Sequence, residues 1–184
     1  FHGAIRASER LGTELKIDEI YETVNQALCT INKDRIGSDK FMTQNYLKET
    51  NGQVAHSGTH EIALLYKKNA DTVIELKEMT NRTGFLGLSP LITAKMSVGS
   101  FDVQEGDILV LYSDGVIEAK DKYGHQYGLD RVKTIMKQHA GMRSQTIIDR
   151  IIESLEEFAK EGDLVKHKGK FTDDITLVVM KKEQ

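Results

Sequence analysis

Residues 108 to 112 read "ILVLY", apolar on both of the faces that a strand presents. Side chains alternate across a strand, so such a run must be paired at its edges and covered above and below. A chain that carries it folds into layers, with strands beside it and helices or a second sheet over it. The run ends abruptly at Ser113-Asp114-Gly115, after which the sequence turns apolar again. A second run, "ITLVV", opens directly after Asp173-Asp174. One strand has an aspartate at its exit and the other at its entry. Laid side by side and antiparallel, they bring Asp114 and Asp173 to the same sheet edge.

The rest of the chain supplies more strands and the helices to cover them. "KIDEIYETVNQALCTIN" places Ile17, Ile20, Tyr21, Val24, Leu28 and Ile31 at helical spacing. Between residues 41 and 77, alternating segments are punctuated by Asn51-Gly52, a strong hairpin signal, and by "NAD". That region reads as an antiparallel meander. "KMSVGSFDVQEGD" adds a strand and a turn at Glu105-Gly106-Asp107. "LDRVKTIMKQHA" is a short amphipathic helix. "SQTIIDRIIESLEEFAK" is a longer one, with Ile147, Ile148, Ile151, Ile152, Leu155 and Phe158 in one stripe and Ser144 as N-cap. "ITLVVMKK" is a final buried strand, and "FHGAIRASERLG" reads as the end of a helix. Strands in runs with helices in pairs predict α+β layers rather than alternating βαβ units.

The 184 residues suit one domain, and 39% hydrophobic with 29% charged residues is a globular composition. A net charge of −3 gives no reason to expect nucleic acid or an anionic membrane as partner. No apolar run approaches the roughly 18 residues of a membrane span. The single cysteine, Cys29, cannot form an internal disulfide and fits a reducing, cytoplasmic setting. The chain begins at Phe1 inside a helical pattern, which reads as a piece of a longer protein.

Two readings of the aspartates compete. Ser-Asp-Gly after a strand is a common turn, and Asp-Asp before one is a solvated entry. Two carboxylates brought together repel, however, and a divalent cation removes that penalty. Hard oxygen ligands select Mg²⁺ or Mn²⁺. His56 and His60 flank a turn-like "SGT" with no third ligand nearby, so turn or surface roles are expected. His125, His139 and His167 carry no motif. Cys29 reads as a small packing residue, and "KHKGK" at 166 to 170 as a solvated basic loop.

"VQEGDILVLYSDGVIEAKDKYGHQYGLDRV", an amphipathic helix and then "DDITLVVMKK" resemble the C-terminal part of the metal-dependent serine/threonine phosphatases, the PPM family. The bacterial SpoIIE-type branch is the nearest in pattern. "GQVAHSGTHEIALLYKK" looks like that branch's hairpin, with Ser57-Gly58-Thr59-His60 where Ala-Gly-His is usual, and "TGFLGL" also fits it. The resemblance implies an antiparallel β-sandwich flanked by helices, in α/β/β/α layers. It implies a binuclear Mn²⁺ or Mg²⁺ centre at one end of the sheets. Asp114 matches the aspartate of the family's late Asp-Gly, and Asp173 the one that opens its last acidic pair; both ligate one metal in the family. Asp174 and Gly115 match the neighbouring positions that support the site. The family's early acidic residue and bridging Asp-Gly have no match, so residues 1 to 184 read as a SpoIIE-type domain lacking its N-terminal strands.

The expected function is hydrolysis of phosphoserine or phosphothreonine on a regulatory protein, of the anti-sigma-factor-antagonist type, by a metal-activated water and without a side-chain nucleophile. With half the ligand set, this chain alone is expected to be inactive, to bind metal weakly and to pair with a second copy. An upstream sensor or regulatory domain is expected in the parent, which an upstream segment could tether to a membrane. The alternatives are a metal-free phosphatase-like binding module and a metal-dependent phosphodiesterase.

Overall fold

The computed structural model describes residues 16–33, 41–77, 84–90, 98–160 and 173–183. The fold is α+β: two antiparallel sheets flanked by helices. The chain divides into two compact units, residues 1–60 with 77–102 and residues 61–76 with 103–184.

In the first unit, helix α1 (Ile17–Ile31) accompanies a three-stranded sheet of β1 (Gln44–Thr50), β2 (Gln53–Thr59) and β5 (Gly99–Asp102), in the order β1-β2-β5. Asn51 and Gly52 join β1 to β2 with φ of 53° and 84°, the two positive values of a hairpin turn whose twist matches the strands. Ile17 and Tyr21 of the helical stripe are buried with Tyr46 and Leu86, but Ile31 lies exposed. The helix also buries Asn25 completely, which an apolar stripe does not foretell. The Asn25 side chain donates to the Ser89 carbonyl (2.9 Å) and accepts from the Gly87 amide (2.9 Å), while Asn32 donates to the Gly87 carbonyl (3.1 Å). Those bonds tie the "GFLGLS" stretch to the helix and satisfy backbone groups that no strand pairs.

The second unit holds β3 (Ala63–Lys67), β4 (Thr72–Leu76), β6 (Ile108–Tyr112) and β7 (Leu177–Lys181), in the order β4-β3-β6-β7. Here the structure corrects the expected meander. β2 pairs with β5, and β3 opens the other sheet between β4 and β6. Alternation and turn residues predict strands but not their neighbours. Ala63 to Tyr66 are all buried, so β3 needs an inner position. β6 is the inner strand that "ILVLY" requires. β7, expected to be buried, is the outer strand of its sheet: Val179 is buried, while Val178 and Met180 are 41% and 42% exposed.

A short helix α2 (Asp114–Ile117) follows β6, and helices α3 (Leu129–Gln138) and α4 (Ser144–Lys160) complete the unit. Ser144 is the first residue of α4 rather than its cap, since the Ile147 amide bonds to the Arg143 carbonyl. The α4 stripe is narrower than its sequence predicts. Ile147, Ile151 and Leu155 are fully buried against Ile108, Val110, Val132 and Met136, whereas Ile148, Ile152 and Phe158 are partly buried. Ile151→Val is therefore expected to lower stability by about 0.5–1.5 kcal/mol, and Ile148→Val by distinctly less. Equal losses in paired urea titrations would show that both sit equally deep. Tyr112 turns into the same core with its hydroxyl unpaired among the described residues, and burial pushes its pKa up. Tyr112→Phe removes that unpaired group and is expected to raise stability by about 1 kcal/mol. A lower melting temperature for this variant would mean that the hydroxyl has a partner in solution. None of the described helices is long and apolar enough to cross a membrane.

Candidate metal centre

β6 and β7 run antiparallel, with Ile108 opposite Lys181 and Tyr112 opposite Leu177. That register carries the exit of one strand and the entry of the other to the same place. Beyond the last paired residues, Ser113 brackets the two segments. Its amide donates to the Thr176 carbonyl (3.0 Å), and its hydroxyl accepts from the Thr176 amide (2.9 Å) while donating to the Asp174 carbonyl (3.0 Å). The sequence reading gave Ser113 and Thr176 no role. The available signal was a hydroxyl residue within two positions of an aspartate on each segment, Ser113 next to Asp114 and Thr176 two after Asp174.

Gly115 completes the close approach. A Cβ placed there would lie 2.5 Å from the Asp174 carbonyl oxygen and 3.6 Å from Asp173 Cβ. A contact of 2.5 Å to backbone cannot be relieved by a rotamer change, so only glycine lets the α2 turn sit against residues 173–174. The two aspartate-bearing segments thus meet at backbone level: Gly115, next to Asp114, packs against residues 173–174.

Both carboxylates lie at the exposed end of the sheet. Asp114 accepts from the Gly115 amide (2.9 Å) and Asp173 from the Asp174 amide (2.8 Å), each through one oxygen. No side chain among the described residues pairs with either. Asp174 differs from expectation. The strand begins only at Leu177, so alternation does not apply at 173–174, and it is the Asp174 backbone carbonyl that meets Ser113. The donor set of two carboxylates with a glycine-lined approach suits a hard cation such as Mg²⁺ or Mn²⁺. Among the described residues, no group of three or more His, Cys, Asp or Glu is placed to hold a metal.

The histidines lie elsewhere. His56 is not at a turn: it is buried within β2, with its ring 5.6 Å from that of Phe101. An apolar neighbour across the β2–β5 pair draws it inward. His60 is exposed beyond the strand, 3.3 Å from the Thr43 hydroxyl. His125 bonds to Asp121 (3.0 Å) within a tight turn. His139 ends α3. Cys29 is partly buried in α1, and burial pushes its thiol up. The basic loop 166–170, His167 and the helix end at 1–12 lie outside the described residues.

The family model for stage II sporulation protein E (SpoIIE) matches residues 1–183. The chain belongs to the SpoIIE family. No curated protein matches it. Among solved structures, the SiaA-PP2C domain of Pseudomonas aeruginosa superposes with a TM-score of 0.71 at 18% identity, over 97% of this chain and 65% of that one. The RsbU and RsbW domains of a Mycobacterium tuberculosis protein give 0.59 at 19% identity, over 96% and 44%. The manganese-presoaked phosphatase domain of SpoIIE from Bacillus subtilis gives 0.51 at 19% identity, over 97% and 73%. This SpoIIE-family chain therefore shares the PP2C fold of these domains and spans about 65% of the SiaA domain's length.

Proposed function

We propose that the protein carrying this domain is a metal-dependent serine/threonine protein phosphatase, with Asp114 and Asp173 holding one Mn²⁺ or Mg²⁺. The observation that carries the reading is the Ser113 bracket, which holds two aspartate-bearing segments together with no apolar or ion-pairing purpose of its own. Strand pairing already brings the segments together, and the Ser113 hydroxyl extends the link past the ladder to the Asp174 carbonyl. Family membership and the manganese-soaked relative support the choice of chemistry.

In this reading Asp114 and Asp173 bind the cation through carboxylate oxygen, Gly115 keeps the approach open, and Asp174 fixes the bracket through its carbonyl. When bound, such a metal centre supplies an acidified water and charge neutralisation for phosphoryl transfer, with two ions in the complete site. No side-chain nucleophile enters the scheme. The substrate is a phosphorylated regulatory protein of the anti-sigma-factor-antagonist type, in the cytoplasm; the presence of RsbU and RsbW domains in one neighbour supports that context. Among the described residues Asp114 and Asp173 leave most of a hexacoordinate ion to water, so residues 1–184 by themselves are expected to bind Mn²⁺ weakly and to turn over no phosphopeptide.

The test is hydrolysis by the full-length protein, with Mn²⁺ and with chelator: release of inorganic phosphate from a phosphoserine protein, and release of a nucleoside monophosphate from a nucleotide diester. Mn²⁺-dependent release from the phosphoprotein alone is expected. Release from the diester alone would assign a phosphodiesterase, and release from neither would leave a binding module.

A further inference from the structure

At the opposite end of β6 from Asp114, the second unit carries a cleft of about 310 Å³. Five residues of strand separate the two ends, about 17 Å. The cleft is lined by Lys68, Arg143, Lys181 and Lys182 against Glu105 and Glu183.

Its walls are fixed rather than incidental. Asp107, 1% exposed, accepts from the amides of Lys68 and Gln104 (2.9 Å each) and pairs with Lys67, which sets the backbone of the Lys68 wall. Gly106 at φ 82° donates to the Lys182 carbonyl (2.8 Å). The Lys68 side chain lies over Gly106, with its ammonium nitrogen 3.1 Å from where a Cβ would stand. Any other residue at 106 would be strained at that φ and would push the lysine aside. Across the cleft, the Lys181 ammonium donates to the carbonyls of Ala140 and Met142 (2.8 Å each), which holds the loop that presents Arg143. Lys68 and Arg143 are both exposed, and no carboxylate among the described residues pairs with either.

We propose that this cleft is an anion site for a phosphate group, separate from the aspartate-bearing end. A phosphomonoester carries about −1.5 to −2 at neutral pH, which matches the two exposed cations Lys68 and Arg143. The guanidinium of Arg143 offers a planar fork to phosphate oxygens, and Lys68 adds a point charge. The glutamates at the rim disfavour a larger polyanion. The phosphate could arrive on a protein or free in solution.

The experiment is an NMR titration of the chain in chelator, following the amides of Gly106 and Met142. The probes are inorganic phosphate, a phosphoserine peptide and the same peptide unphosphorylated. Chelator removes catalysis from the readout, so the result is independent of the phosphatase assignment. Saturable shifts with phosphate or phosphopeptide are expected, weakening with added salt. Lys68→Ala with Arg143→Ala should reduce affinity at least about tenfold, the scale of losing charge-assisted hydrogen bonds. Lys122→Ala, on an exposed turn, should not change it. Tighter binding of the phosphopeptide than of inorganic phosphate identifies a protein-borne ligand, and equal binding identifies free phosphate; both support the site. Absence of saturable shifts with either probe, equal affinity in the double variant, or equal binding of the unphosphorylated peptide overturns it.

Discussion

Replacing Asp107 by alanine is expected to destabilise the protein by about 3–5 kcal/mol, the range for breaking a buried ion pair from one side. The carboxylate is buried, accepts two backbone amides and pairs with Lys67. Alanine leaves both amides and the Lys67 ammonium without that acceptor at the edge of the sheet. Burial alone would raise this carboxyl's pKa. The hydrogen bonds from Lys67, Gln104 and Lys68 outweigh it and hold the value below the ordinary carboxylate range. The sign of the pH dependence follows. A group with a depressed folded pKa contributes stability above its unfolded value, near 3.9, and loses it as pH falls through the folded value. The gap between wild type and Asp107→Ala should thus be constant near neutrality and narrow below about pH 4. Urea titrations across that range check both statements; a difference under about 1 kcal/mol at pH 7 would place Asp107 outside the stabilising network.

Asp114→Asn is expected to remove Mn²⁺-dependent turnover in the full-length protein, by at least about a hundredfold, while leaving the melting temperature nearly unchanged. Asparagine preserves the shape and can still accept from the Gly115 amide, so the α2 turn survives. In the proposed site it would remove one of the two negative charges that offset the cation, and a more weakly held metal would leave its water less acidic. Gly115→Ala should act on the same site by a different route. The methyl would meet the Asp174 carbonyl at 2.5 Å and drive the two segments apart without touching either carboxylate. Positioning changes beside a metal typically lower affinity or activity about 10–100-fold. Turnover measured against Mn²⁺ concentration separates the cases: excess metal should restore Gly115→Ala in part and Asp114→Asn less. Near-wild-type turnover of Asp114→Asn at limiting Mn²⁺ would reduce Asp114 to a turn residue.

Much of this was legible in the residues because it depends on local periodicity. The apolar run 108–112 demanded an inner strand, and the 3.6-residue spacing of Ile147, Ile151 and Leu155 demanded a helix with one buried face. Asn51-Gly52 announced its hairpin because few other pairs accept positive φ twice. That the segments carrying Asp114 and Asp173 meet followed from one assumption, that β6 and β7 are antiparallel neighbours, which the pairing of Tyr112 with Leu177 bears out.

Tertiary structure decided what depends on partners distant in sequence. That β2 takes β5 rather than β3 is a choice among compatible strand edges, and alternation is the same whichever edge is taken. The burial of Asn25 and His56 was hidden because a polar side chain goes inside only when a remote segment covers it: the backbone at 87–89 for one, the Phe101 ring for the other. Asp107 read as a turn residue, yet it organises one end of the sheet because Lys67 and the Lys68 amide arrive there from some forty residues away. Sequence by itself determined the α+β elements, the two aspartates and the family pattern, since each is written within a single strand, helix or turn. The Ser113 bracket, the Gly115 contact with residues 173–174 and the cationic cleft at the other end of β6 were decided only by the fold, because each joins groups whose proximity costs chain entropy that long-range packing alone repays.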